Sequence, residues 1–145
     1  MLSTTVTREL NHDCNRAWAV LADFGNVGWA AGDNTVEVIG EGIGMIRRII
    51  VDGLDAPIDE VLDFIEPEQH KFGYSIPRGL PFPLDDYRAE AQVKFVADGR
   101  TTVVWKGWFT PQDGLAEADA IAMMDGIYNQ LIDWLDAHLS GSTSG

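Results

Sequence analysis

From Thr35 to Phe109 the apolar residues recur with a period of two, and each break in the pattern carries turn-forming residues. This alternation predicts six strands, at residues 35–39, 45–51, 58–66, 71–76, 87–97 and 101–109. The breaks read Gly40-Glu41-Gly42-Ile43-Gly44, Asp52-Gly53-Leu54-Asp55-Ala56-Pro57, Glu66-Pro67-Glu68, Pro77-Arg78-Gly79-Leu80-Pro81-Phe82-Pro83 and Asp98-Gly99. Turns this short join antiparallel neighbours, because a parallel return needs a crossover of a dozen residues or more.

What flanks the strands completes the fold class. Residues 4–10, rich in β-branched side chains, predict a first strand and bring the sheet to seven. A helix follows, with Asn11 and Asp13 both available as N-cap and with Ala17, Trp18, Val20, Leu21 and Phe24 at helical spacing until Gly25 and Gly28 interrupt it. Residues 26–32 form a second short helix or a loop. After Pro111, Asp113 and Gly114, one long amphipathic helix is predicted from Leu115 to Leu139, its stripe being Ile121, Met124, Tyr128, Leu131, Leu135 and Leu139, with Met123, Ile127, Ile132 and Trp134 beside it. The sum is an α+β domain over residues 1–139, one helix covering a face of the sheet, with 140–145 as a flexible tail.

Composition limits the partners. The chain has 145 residues, and its 23 acidic and 10 basic side chains leave a net charge of −13. Phosphate backbones and anionic membrane surfaces would repel such a surface, so no nucleic acid is expected as partner. No apolar run approaches the roughly 20 residues of a membrane span, so no membrane insertion is expected; with no signal-peptide pattern visible, the expected location is the cytoplasm. Cys14 is the single cysteine, which excludes a disulfide scaffold. Histidines 12, 70 and 138 show no metal-ligand spacing, and neither metal nor cofactor is expected. No histidine is placed by sequence logic to activate Cys14. The Gly40-x-Gly42-x-Gly44 pattern joins two strands and opens no helix, so it fails as a phosphate loop.

The run Ala17-Trp18-Ala19-Val20-Leu21-Ala22-Asp23-Phe24-Gly25-Asn26-Val27-Gly28-Trp29 resembles the first-helix signature of the START/polyketide cyclase-like (SRPBCC) superfamily. Gly44-Met45-Ile46-Arg47, Glu60-Val61-Leu62-Asp63, Tyr74-Ser75-Ile76, Asp86-Tyr87, Val103-Val104-Trp105 and Phe109-Thr110-Pro111 agree with it in order, over nearly the whole chain. The resemblance implies a helix-grip fold: a curved seven-stranded antiparallel sheet wrapped around the C-terminal helix, with two short helices between the first and second strands and an apolar pocket enclosed. It also implies a ligand class of lipids, polyketides and other apolar small molecules, but no single activity.

Strand parity suggests what lines that pocket. With Val51 opposite Ile58, Ile49 faces Glu60, Arg47 faces Leu62, and Arg47 and Glu60 become diagonal neighbours. Composition alone barely separates Met45, Arg47, Ile49 and Val51 from Ile46, Arg48 and Ile50; the resemblance, in which an acidic residue at position 60 lines the cavity, favours the first set. The predicted ligand-binding residues are then Arg47, Ile49, Val51, Leu54, Ile58, Glu60, Tyr74, Ile76, Tyr87, Ala89, Trp105, Phe109, Met123 and Ile127. Ala91, Val93 and Val103 share their parity. Arg47 and Glu60 could equally form a structural ion pair, and Gly126 could make room beside the cavity or pack closely on the sheet.

Residues 52–56 resemble the gate loop of the plant abscisic-acid receptors of this superfamily, and residues 77–85 form a long loop whose Leu80, Phe82 and Leu84 could cover an opening. Where those receptors hold the hormone carboxylate with a lysine, this chain reads Ala30-Ala31-Gly32-Asp33. Trp108, of opposite parity to Trp105, is expected on the outer face, where a homodimer contact is open. Three functions fit: a carrier or sensor of a hydrophobic small molecule; a cofactor-independent cyclase, dehydratase or isomerase with Glu60 as acid/base and Arg47 with Tyr74 or Tyr87 stabilising an oxyanion; or a protein-interaction domain with a filled cavity.

Overall fold

The first strand starts the sheet at one edge. The computed structural model describes residues 1–32 and 34–141. β1 (Leu2–Leu10) is followed by α1 (Cys14–Ala22) and the one-turn α2 (Gly28–Ala31), then by β2 (Thr35–Ile39), β3 (Ile46–Ile50), β4 (Ile58–Glu66), β5 (Lys71–Arg78), β6 (Leu84–Ala97), β7 (Arg100–Pro111) and α3 (Glu117–Gly141). All neighbours are antiparallel, in the order β1-β7-β6-β5-β4-β3-β2. This is the helix-grip arrangement, with the two short helices between β1 and β2. Asp13, one of the two candidate caps, accepts from the Arg16 amide and starts α1.

Parity explains the core. On β6 the residues Tyr87, Ala89, Ala91 and Val93 point inward, and on β7 Val103, Trp105, Gly107 and Phe109 do so. They meet Ala120, Met124, Tyr128, Ile132, Leu135 and Leu139 of α3. The buried stripe of the helix therefore differs from the predicted one: Ala120 and Ile132 take the seats expected for Ile121 and Leu131, which are only half-buried. Polar ties fix the helix to β1, where Thr4 donates to the Asp125 carboxylate and Arg8 reaches the Asn129 carbonyl and Asp133. At the far end Arg16 donates to the Leu139 carbonyl and His12 meets Asp136. Ser140 and Gly141, read from sequence as tail, continue the helix, and 142–145 lie outside the described residues.

Three local expectations are corrected. In the β3–β4 hairpin Arg47 stands directly opposite Glu60, and Ile49 opposite Ile58, a shift of two residues from the predicted pairing. The connection is longer than a tight turn closing at Val51 would need, so the ladder ends at Ile49. Asp59, part of an acidic run with Glu60, Asp63, Glu66 and Glu68 expected to be mostly a solvated strand edge and turn, is buried and takes two bonds from Arg48, at 2.7 and 3.0 Å; this pairing holds its carboxyl below the usual aspartate range. Between β5 and β6 the strands extend further than predicted, so only Gly79 to Pro83 is loop.

Candidate functional site

Between the β3–β5 side of the sheet, α2 and the middle of α3 lies a cavity of about 320 Å³. It exists because α3 packs on β1, β7 and the two short helices, leaving β3 and β4 without close helix cover. Ten of the predicted residues line it: Arg47, Ile49, Val51, Ile58, Glu60, Tyr74, Ile76, Tyr87, Trp105 and Ile127. Four do not. Leu54 is exposed at the tip of the β3–β4 connection, Ala89 and Phe109 are sealed in the core farther along β6 and β7, and Met123 is half-buried away from the hollow.

Sequence reasoning missed the opposite wall: Trp29, Ala30 and Ala31 of α2, and Leu131 and Trp134 of α3. Ile127, Leu131 and Trp134 follow at four and three residues, a second apolar stripe beside the core stripe. An apolar face wider than one neighbour requires is the signal that could have found them. Phe82, expected as cover, does line the cavity, together with Pro81.

At the polar end, Arg47 Nε donates to Glu60 Oε1 at 2.5 Å and Nη1 to the Phe24 carbonyl at 3.0 Å. The guanidinium lies 4.0 Å from the Phe24 ring centre and 5.5 Å from that of Tyr74, so its charge is held by a carboxylate, a carbonyl and two aromatic faces. Beside it, Trp105 Nε1 donates to the Tyr74 hydroxyl at 3.2 Å, and the Tyr87 and Tyr128 hydroxyls bond to each other at 2.7 Å. The Trp105 indole is thus engaged within the protein. Burial pushes the Tyr74 phenol up to about 12, with the nearby Glu60 carboxylate adding to the effect; it pushes Tyr87 and Tyr128 up as well. All three remain neutral hydroxyls near neutral pH.

Tyr128 reaches this cluster through a gap at Gly107, where an added Cβ would sit 1.9 Å from its hydroxyl oxygen. Gly126, by contrast, is exposed, and a Cβ there would meet nothing within 4 Å; neither of the two readings of this glycine holds.

On the far side of α1, Cys14 Sγ lies 3.3 Å from His70 Nδ1, and the His70 ring stacks on Trp18 at 5.5 Å. No spacing rule pairs them, because His70 follows the short helical turn at 67–69 in a left-handed backbone conformation. Cys14 is buried, so the pair closes the base of α1. Trp108 lies on the outer face as expected, between the cations of Arg88 and Lys106, at 4.7 and 4.9 Å. Among the described residues no group of three or more metal-ligating side chains forms, and no helix is long and apolar enough to cross a membrane.

The model of one family, polyketide cyclase / dehydrase and lipid transport, matches residues 1–140. Among solved structures, an uncharacterised protein from Bacillus thuringiensis is 25% identical with a TM-score of 0.81, over 95% of this chain and 98% of that one. The protein XoxI from Bacillus cereus is also 25% identical, with a TM-score of 0.78 over 96% of each chain. Norcoclaurine synthase from Thalictrum flavum, solved with dopamine and hydroxybenzaldehyde, is 14% identical at a TM-score of 0.69 over 94% of this chain and 86% of that one, a likeness of fold alone. No curated protein matches.

Proposed function

The chain belongs to the polyketide cyclase / dehydrase and lipid transport family, and on that premise we propose that its cavity binds a small hydrophobic molecule, with the protein acting as a carrier or sensor. One observation carries this reading: a hollow of about 320 Å³ whose walls are apolar except for the Arg47–Glu60 pair and a few hydroxyl and amide groups. That volume stands at the lower end of the roughly 300–1,000 Å³ range of small-molecule sites. It suits a guest of one or two rings better than a long-chain lipid. Arg47 and Glu60 supply the polar contacts that would orient such a guest, with Tyr74 and Tyr87 lining the hollow beside them.

The proposal is tested with N-phenyl-1-naphthylamine, a neutral probe whose emission rises in apolar surroundings. Saturable binding is expected, with a rise in melting temperature that follows mass action. Ile127→Trp, which fills the hollow from the helix side, should abolish both. A probe that leaves the native protein dark and its melting temperature unchanged overturns the reading. The enzymatic alternative has its own measurement: Glu60→Gln would stop turnover of a carbonyl substrate while leaving probe affinity in place, and under the carrier reading there is no turnover to stop.

A further inference from the structure

The Arg47–Glu60 pair leaves part of its hydrogen-bonding capacity unused. Arg47 donates through Nε and Nη1, and Glu60 accepts through Oε1. Arg47 Nη2 and Glu60 Oε2 make no hydrogen bond to protein, yet among the described residues no sealed side-chain nitrogen or oxygen lacks a partner. Both atoms therefore border open space, and both residues line the cavity. The pair presents unused N–H donors on Arg47 Nη2 and unused acceptor sites on Glu60 Oε2, with its two formal charges already balanced. The Trp105 N–H and the Tyr74, Tyr87 and Tyr128 hydroxyls are engaged with one another.

We infer that the cavity selects a neutral guest whose polar end both donates and accepts a hydrogen bond, a phenol or enol hydroxyl, over a carboxylate of the same size. This rests on the binding role proposed above. A hydroxyl can accept from Nη2 and donate to Oε2 at once. A carboxylate can only accept; it would bring a desolvated negative charge to a site whose one lining cation is already paired, facing an acceptor of its own sign. A single added oxygen thus separates the two guests by charge and by donor capacity together.

The experiment displaces N-phenyl-1-naphthylamine with three guests of one skeleton, naphthalene, 2-naphthol and 2-naphthoate, at neutral pH. Hydrogen bonds to charged groups place 2-naphthol about ten-fold or more tighter than naphthalene, and 2-naphthoate should be weaker than 2-naphthol by at least the same factor. In Glu60→Gln, where the Arg47 charge is no longer balanced, the preference of 2-naphthol over 2-naphthoate should shrink or reverse. The wild-type series decides the matter even if that variant fails to fold. If the probe and naphthalene bind but 2-naphthoate equals 2-naphthol, or 2-naphthol gains nothing over naphthalene, the selectivity is overturned and the binding role stands. If neither the probe nor naphthalene binds, the binding role falls and the selectivity with it.

Discussion

Tyr74, Tyr87 and Tyr128 are all the tyrosines in the chain, and the fold gathers them into one buried knot beside Trp105. Their folded-state pKa values lie above the ordinary value near 10, so the folded state keeps protons that the unfolded chain would release. Stability from these groups is whole below about pH 10 and is lost as pH climbs from there through the folded values, which for Tyr74 is about 12. A spectrophotometric titration should therefore show almost no phenolate until well above pH 10, then a steep rise coinciding with loss of the circular dichroism signal; three gradual ionisations centred near 10 would contradict the knot. Gly107 makes room for it. Gly107→Ala should cost about 2 kcal/mol by overpacking, since the new methyl displaces the Tyr128 ring and breaks its bond to Tyr87. Denaturant melts give the magnitude, and the double variant with Tyr128→Phe should recover part of it.

At the scale of elements, α3 carries a glycine where a side chain would meet nothing within 4 Å. Gly126 is exposed in mid-helix, so Gly126→Ala should raise stability by about 1 kcal/mol, read as a shift of the urea midpoint at unchanged slope. The elements themselves were readable because period-two and period-3.6 patterns are local: seven strands, the first short helix and the long one follow from spacing and from Gly and Pro punctuation, while spacing left residues 26–32 open between helix and loop and the resemblance implied the helix that the structure has at Gly28–Ala31. The resemblance then chose between parities that composition left balanced, and Arg47, Ile49 and Val51 do face inward. What local pattern could not supply was register and distance. The Arg47–Glu60 alignment depends on how many residues the β3–β4 connection consumes. The exclusion of Ala89 and Phe109 from the hollow depends on how far it runs along β6 and β7, that of Leu54 on the course of the β3–β4 connection, and that of Met123 on how α3 is turned about its axis. Trp29 and Trp134 were invisible because they belong to a wall made by two helices far apart in sequence.

The whole molecule carries a net charge of −13, and among the described residues Arg8, Arg47, Arg48, Lys71 and Arg100 are paired with carboxylates. The remaining acidic surface repels itself, so adding sodium chloride at neutral pH should raise the melting temperature through screening; a flat or falling response would mean that the ion pairs outweigh the repulsion. The polar ties between α3 and β1, made by Thr4 and Arg8, sit on the far side of the sheet from β3 and β4. The ties that hold the helix and most of the residues that line the cavity are thereby assigned to separate halves of one body. A library of substitutions confined to Ile49, Ile58, Ile76 and Leu131 could re-tailor the lodging for a new tenant while the opposite seam keeps the chain folded.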